Sequence, residues 1–238
     1  MGKLRLKRGV MPSMIKRGNR MKCTKKDVEE IFTNVAKEYG FEDVQVDVCQ
    51  FKAFKLRYEG CRGGLMAFDI PDYLIGMKSE SVEDFARFIS ADLSKKKYEM
   101  RGFFTNEVMS KEFLKKNQMK FLKRDRSLTS EGRDRIDKAL EVLKSKGHIE
   151  DDDDRVITFR ATDSFNPVMF SSVFKTIELA NSMLDVDDDV LEYCIWAGIK
   201  NIEVGREALK RNERSTIVYP VLEGYEDARS LIFERYKP

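Results

Sequence analysis

The chain is 238 residues long, 42% hydrophobic and 36% charged, and its 44 Lys and Arg against 41 Asp and Glu leave a net charge of only +3. This length and apolar content suit one large domain or two small ones around a packed core. No run of eighteen apolar residues occurs and the basic N-terminus has no apolar stretch, so neither a membrane span nor a secretory signal is expected; a soluble, cytoplasmic protein without a membrane partner is.

The charge is unevenly placed. Residues 1–26 hold Lys3, Arg5, Lys7, Arg8, Lys16, Arg17, Arg20, Lys22, Lys25 and Lys26 and no acid, leaving 34 basic against 41 acidic residues in the remainder. A body of net negative charge repels a polyanion over most of its surface. A cationic arm interrupted by Gly9, Pro12 and Gly18, by contrast, is the usual form of a flexible contact to phosphate or to an acidic partner. Residues 1–22 are read as such an arm; the plainer alternatives are a solubilising tail or an extension upstream of a start at Met14 or Met21.

Behind the arm, Thr24-Lys-Lys-Asp27 is a capping pattern, and Val28, Ile31, Phe32, Val35 and Ala36 make a helical apolar stripe ending near Gly40. Val44–Val48 alternates, 51–58 continues in a β-favouring pattern, and Leu65–Ile70 is a further short strand, so an antiparallel meander is expected with Gly60, Gly63 and Gly64 as its punctuation. Glycines with Arg62 also fit a phosphate loop, but they lie between strand-like segments rather than opening a helix, so a hairpin connection is the expectation. Ser81-Val-Glu-Asp84 reads as the cap of a helix with Val82, Phe85, Ile89 and Leu93 on one face, closing in Lys95-Lys96-Lys97.

Two helical stretches follow, about 105–122 and about 130–147, the second with Ile136, Leu140 and Leu143 inward and Gly147 as its stop. The first carries Lys115, Lys116, Lys120, Lys123 and Arg124, followed by Arg126, over Phe113 and Phe121. Such a stretch is a solvated face over an apolar stripe, and Lys120, Lys123 and Arg124 are the secondary phosphate contacts it offers beside the arm. Residues 150–154 are all acidic, without the spaced ligands and glycine of a calcium loop, so they read as a solvated loop. His148 is the sole histidine and reads as an exposed residue after a helix rather than a catalytic base. Cys23, Cys49, Cys61 and Cys194 show no C-x-x-C spacing and are expected to be free thiols.

Residues 155–160 and one or two segments within 168–179 are strands. An aspartate-rich turn at 184–189 then caps a helix carrying Tyr193 and Trp196, which read as core residues; further helices are expected at 203–211 and 225–235. No repeat of sequence appears. The organisation expected is a 1–22 arm, a 23–100 helix, β-meander and helix portion, a 101–154 helical portion, and a 155–238 core, together an α+β fold with a small antiparallel sheet packed against helices.

Three phrases of the last portion, Ile177-Glu-Leu-Ala-Asn-Ser-Met-Leu-Asp185, Val190-Leu-Glu-Tyr-Cys-Ile195 and Tyr219-Pro-Val-Leu-Glu-Gly-Tyr-Glu-Asp-Ala228, resemble the zincin-like proteins of the SprT-like and YgjP-like group, including archaeal proteins described as predicted metal-dependent hydrolases. Weaker likeness extends to Ile70-Pro71 and to 121–132. The resemblance implies a zincin-like fold whose metal-binding helix reads H-E-x-x-H, but it places the first ligand on Ala197, the catalytic glutamate on Gly198, the second ligand on Asn201 and the third near Asn212. A zinc site needs three protein ligands and a base. All are missing together, so no metal, no cofactor and no catalytic residue is expected. With the degenerate motif on one side and the basic arm on the other, the expectation is a non-catalytic binding or scaffold protein that contacts nucleic acid or a ribonucleoprotein through that arm. The alternatives are an adaptor whose inactive cleft takes a protein partner, or an enzyme of some other chemistry.

Overall fold

In a computed structural model describing residues 22–60, 65–152, 154–163, 166–211, 213 and 215–235, the first helix, α1 (Lys25–Glu38), begins as its capping pattern demands. Thr24 accepts from the Asp27 amide while the Asp27 carboxylate accepts from the Thr24 amide at 2.7 Å, so two otherwise orphaned donors are satisfied reciprocally. Its buried face is Val28, Phe32, Val35 and Ala36.

Strands β1 (Asp43–Cys49), β2 (Arg57–Gly60) and β3 (Leu65–Pro71) form one sheet, but not the meander expected. β3 lies in the middle, parallel to β1 and antiparallel to β2. The reason lies in residues 51–56, which leave the sheet instead of extending it. Phe54 stacks on Tyr73, 6.0 Å between ring centroids, and tilts onto Phe104 at 5.7 Å, while the Tyr73 hydroxyl donates to the Lys52 carbonyl. Burying Phe54 carries the chain across and delivers β2 to the far edge of β3. The loop containing Cys61 to Gly64 lies outside the described residues; the strands on either side of it pair as a hairpin.

Helix α2 (Ser79–Leu93) starts earlier than the sequence signal, so Ser81 and Asp84 lie inside it rather than capping it. Ser81 donates to the Phe103 carbonyl, and the buried Asp84 carboxylate accepts from the Tyr98 hydroxyl and from the amides of Arg101 and Phe104. Both are ties to the following segment. That segment, expected as a single helix, is two: α3 (Phe103–Val108) and α4 (Lys111–Arg124), the break falling where Ser110 caps α4 by accepting from the Phe113 amide. Helix α5 (Arg133–Ser145) ends before Gly147, whose φ of +70° suits the left-handed stop expected of it.

The second sheet contains β4 (Leu128–Thr129), β5 (Val156–Arg160), β6 (Val168–Ser171) and β7 (Thr176–Leu179) in the order β4-β5-β7-β6. Here too the pairing is mixed, β5 and β7 being parallel. The chain is thus α+β, with two mixed sheets in place of the antiparallel one expected. Helix α6 (Asp188–Arg211) runs unbroken through the segment expected as a separate helix, and α7 (Glu226–Arg235) packs on it. Gly205 lets α6 pass close to Ser172, since a Cβ there would lie 2.8 Å from the Ser172 Cβ.

The topology repeats although the sequence does not. Residues 25–93 and 133–211 each run helix, strand, hairpin, short 3-10 turn, helix, and in each the hairpin's second strand inserts beside the first strand and parallel to it. Each unit has its own core. The 101–154 portion is not a unit: Phe104, Val108, Phe113 and Phe121 join the first core, whereas Ile136, Ala139 and Leu143 join the second. Cys23, Cys49 and Cys194 are free thiols, and burial pushes Cys23 up to about 11; Cys61 is outside the described residues.

Phe174, in the β6–β7 turn, crosses between the units. Its ring is fully buried in the first core, with centroids 4.7 Å from Tyr73, 4.8 Å from Phe121 and 6.3 Å from Phe113. Phe174→Ala is expected to cost about 3–5 kcal/mol, measured as a fall in the urea midpoint. A cost below about 1 kcal/mol would show that the first core closes without this ring.

Candidate nucleic-acid interface

Helix α4 spans about 20 Å and turns Phe113, Leu114, Asn117 and Phe121 inward. Its cations divide by what stands opposite them. Arg124 makes a two-pronged contact with the Asp72 carboxylate at 2.8 and 2.5 Å and donates to the Phe51 carbonyl at 2.7 Å; Lys120 pairs with Asp72 at 2.7 Å. Both cations also lie over the Tyr73 ring, 4.9 and 5.0 Å from its centroid. Burial alone would raise the Asp72 carboxyl, but the bonds and charges of Arg124 and Lys120 outweigh it and hold the group below the usual carboxylate range. Two of the three body contacts read from the sequence therefore spend their charge inside the protein.

The third, Lys123, is exposed, and so are Lys115 and Arg126. Lys115 and Lys123 are two helical turns apart on one side, with Met119, 53% exposed, between them. The seven arm cations Lys3, Arg5, Lys7, Arg8, Lys16, Arg17 and Arg20 lie outside the described residues. Their point of attachment does not. Lys22 pairs with Glu112, in the first turn of α4, at 2.6 Å, and Cys23 exchanges backbone hydrogen bonds with Gly76 and Met77. The chain preceding Lys22 thus joins the body beside the N-terminal end of the cationic helix.

At the C-terminal end of α4, Asp125 enters a cluster of two cations and two carboxylates. Lys52 pairs with Asp125 and, at 2.8 Å, with Glu178; Arg160 reaches Asp125 at 3.1 Å and Glu178 at 2.7 Å. Burial opposes ionisation of Asp125, but the bonds from Lys52 and Ser127 prevail and place its carboxyl well below the ordinary range. The acidic loop after α5 is likewise tied down, Asp152 to Lys175 at 2.9 Å and Asp151 to Lys144. Among the described residues no group of three or more His, Cys, Asp or Glu is placed to hold a metal ion.

The positions on which the resemblance would place a peptidase motif are closed. Ala197 is 1% and Asn201 3% exposed. A Cβ on Gly198 would lie 3.0 Å from Ile177 and 3.1 Å from Val168, so the bare backbone is what lets α6 approach the sheet. The Asn201 amide donates to the Ala197 and Val218 carbonyls at 2.7 Å and accepts from the Val218 amide at 2.8 Å, binding the segment after α6 across the helix. Asn212 lies outside the described residues. Tyr193 and Trp196 are core residues, as expected, and His148 is half-buried, edge-on to Tyr225 at 6.0 Å.

Reading the sequence missed a cavity of about 280 Å³ between the N-terminal ends of α2 and α4, lined by Lys22, Tyr73, Met77, Phe113, Lys116 and Asn117 among others. The available signal was Asn117 itself, a polar residue midway between Phe113 and Phe121 in an apolar stripe of period four. No family profile, curated protein or solved structure matches this chain.

Asp72 and Asp125 titrate lower in the folded than in the unfolded chain. Their stabilising contributions are therefore complete above the unfolded aspartate value near 3.9 and lost as pH falls through the folded values. Asp125→Asn is expected to lower stability at pH 7 by about 3 kcal/mol, because Lys52 and Arg160 lose a partner, and to flatten the urea midpoint against pH below about 4. An unchanged acid limb in this variant would remove Asp125 from that account.

Proposed function

We propose that this chain is a non-catalytic, zincin-like binding protein that contacts nucleic acid or a ribonucleoprotein through the cationic segment before Lys22, with Lys115 and Lys123 of α4 extending the contact onto the body. The observation that carries this reading is the Lys22–Glu112 pair. It roots a segment holding seven cations and no acid beside a helix whose exposed side repeats the same charge. Phosphate contacts position a protein without reading sequence. The contact is therefore general for polyanions.

The closed motif positions favour this reading over an adaptor that captures a peptide at the former active centre. Ala197, Gly198 and Asn201 are engaged in packing and in holding Val218, which leaves them no surface to offer a partner. For the same reason we assign no catalytic residue.

Binding of the full chain and of a version starting at Met21 to generic RNA and duplex DNA, each at two salt concentrations, tests the proposal. The full chain is expected to bind with affinity falling steeply with salt. Truncation should reduce the slope of log K against log salt on duplex DNA by about 4–6, near 0.9 for each phosphate that is no longer neutralised. Combining Lys115→Glu with Lys123→Glu in the full chain should weaken binding at least tenfold, alike on unrelated sequences, without shifting Tm. If neither form binds, the proposal fails and a protein partner takes precedence.

A further inference from the structure

The cavity between α2 and α4 belongs to neither the arm nor the motif helix, and its chemistry is specific. At its buried end is Asn117, 1% exposed, whose amide nitrogen donates to the Phe113 carbonyl one turn back at 3.0 Å while its oxygen has no partner among the described residues. An unmet buried acceptor is costly and calls for an N–H or O–H donor. One part of the wall is apolar: Tyr73, Met77 and Phe113 are each 5% exposed or less. At the mouth stands Lys116, exposed, its ammonium seated over Gly76 and donating to the Ile75 carbonyl at 2.9 Å. A Cβ on Gly76 would collide with that ammonium.

Lys22, Lys78 and Lys116 stand around the cavity with Glu80, Glu107 and Glu112; Glu112 is committed to Lys22, and Glu107 accepts from the Lys78 amide through both oxygens, at 3.0 and 3.2 Å, while Lys116 forms no ion pair among the described residues. The N-terminal turns of α2 and α4 add the positive ends of two helix dipoles. Partial burial, with Lys120 and Lys22 nearby, lowers the Lys116 ammonium from its usual value, against the opposing charges of Glu107 and Glu112.

We propose that this cavity is a binding site for a small carboxylate that also carries an N–H or O–H donor, of the amino-acid or hydroxy-acid class. The carboxylate meets Lys116 at the mouth, the carbon skeleton lies against Tyr73, Met77 and Phe113, and the donor reaches the Asn117 oxygen. The volume of about 280 Å³ suits a molecule of that size and lies just under the usual range for ligand pockets.

Thermal unfolding of the full chain, with single amino acids and matching hydroxy acids as probes, tests this. The controls are the corresponding amines, the plain carboxylates and inorganic phosphate. At least one bifunctional probe is expected to raise Tm by about 5 °C or more near saturation, with its amine and carboxylate counterparts giving less than a third of that rise. Lys116→Gln should weaken the effective probe at least tenfold while leaving the ligand-free Tm unchanged. Asn117→Leu should abolish the response while leaving the ligand-free Tm equal or higher, since it removes an unmet buried acceptor. The proposal is overturned if no probe shifts Tm by more than about 1 °C, if phosphate or a plain carboxylate matches the best probe, or if both variants keep the full response.

Discussion

The fold depends on one ring placed outside its own unit. Phe174 belongs to the hairpin of the second unit, yet it completes the aromatic core of the first, among Tyr73, Phe113 and Phe121. Beside it, Lys52 of the first unit, Asp125 at the end of α4, and Arg160 and Glu178 of the paired strands β5 and β7 neutralise one another two against two. The two contacts differ in kind. The ring supplies apolar burial without direction, whereas buried charges are tolerable only when every partner arrives, so the cluster fixes how the units face each other.

What the sequence made legible was local. Capping at Thr24, the stop at Gly147 and the inward faces of α1 and α5 all follow from chemistry within a few residues, and all stand in the structure. What it hid was long-range. Residues 51–58 have the composition of a strand, but Phe54 is worth more in the aromatic core than in a third pleat, and its burial sets both the strand order and the parallel pairing of β1 with β3. Ser81 and Asp84 read as caps because their side chains suit caps; their partners at 98–104 lie too far along the chain to be seen.

The candidate interface was legible to the same degree. A run of cations on α4 is plain in the sequence, but Asp72 faces Lys120 and Arg124 only after folding, whereas Lys123 stays outward with no such partner among the described residues. Helix α6 behaves alike. The absence of ligands at Ala197, Gly198 and Asn201 is read directly from the sequence, whereas the use of Asn201 to hold Val218 emerges only when α6 and the segment after it are together. Small or amide-bearing residues at such positions serve close packing and backbone capture.

The crossing of Phe174 also orders events during synthesis. Domains tend to form from the N-terminus as the chain emerges, and residues 25–93 contain every strand of the first sheet. Once residue 124 has been made, all the other members of the first aromatic core are present, but the socket between Tyr73 and Phe121 stays open until fifty further residues have been added. During that interval the nascent first half exposes an apolar recess beside its most cationic helix. It becomes a closed surface only when the second half, still being built, supplies the ring.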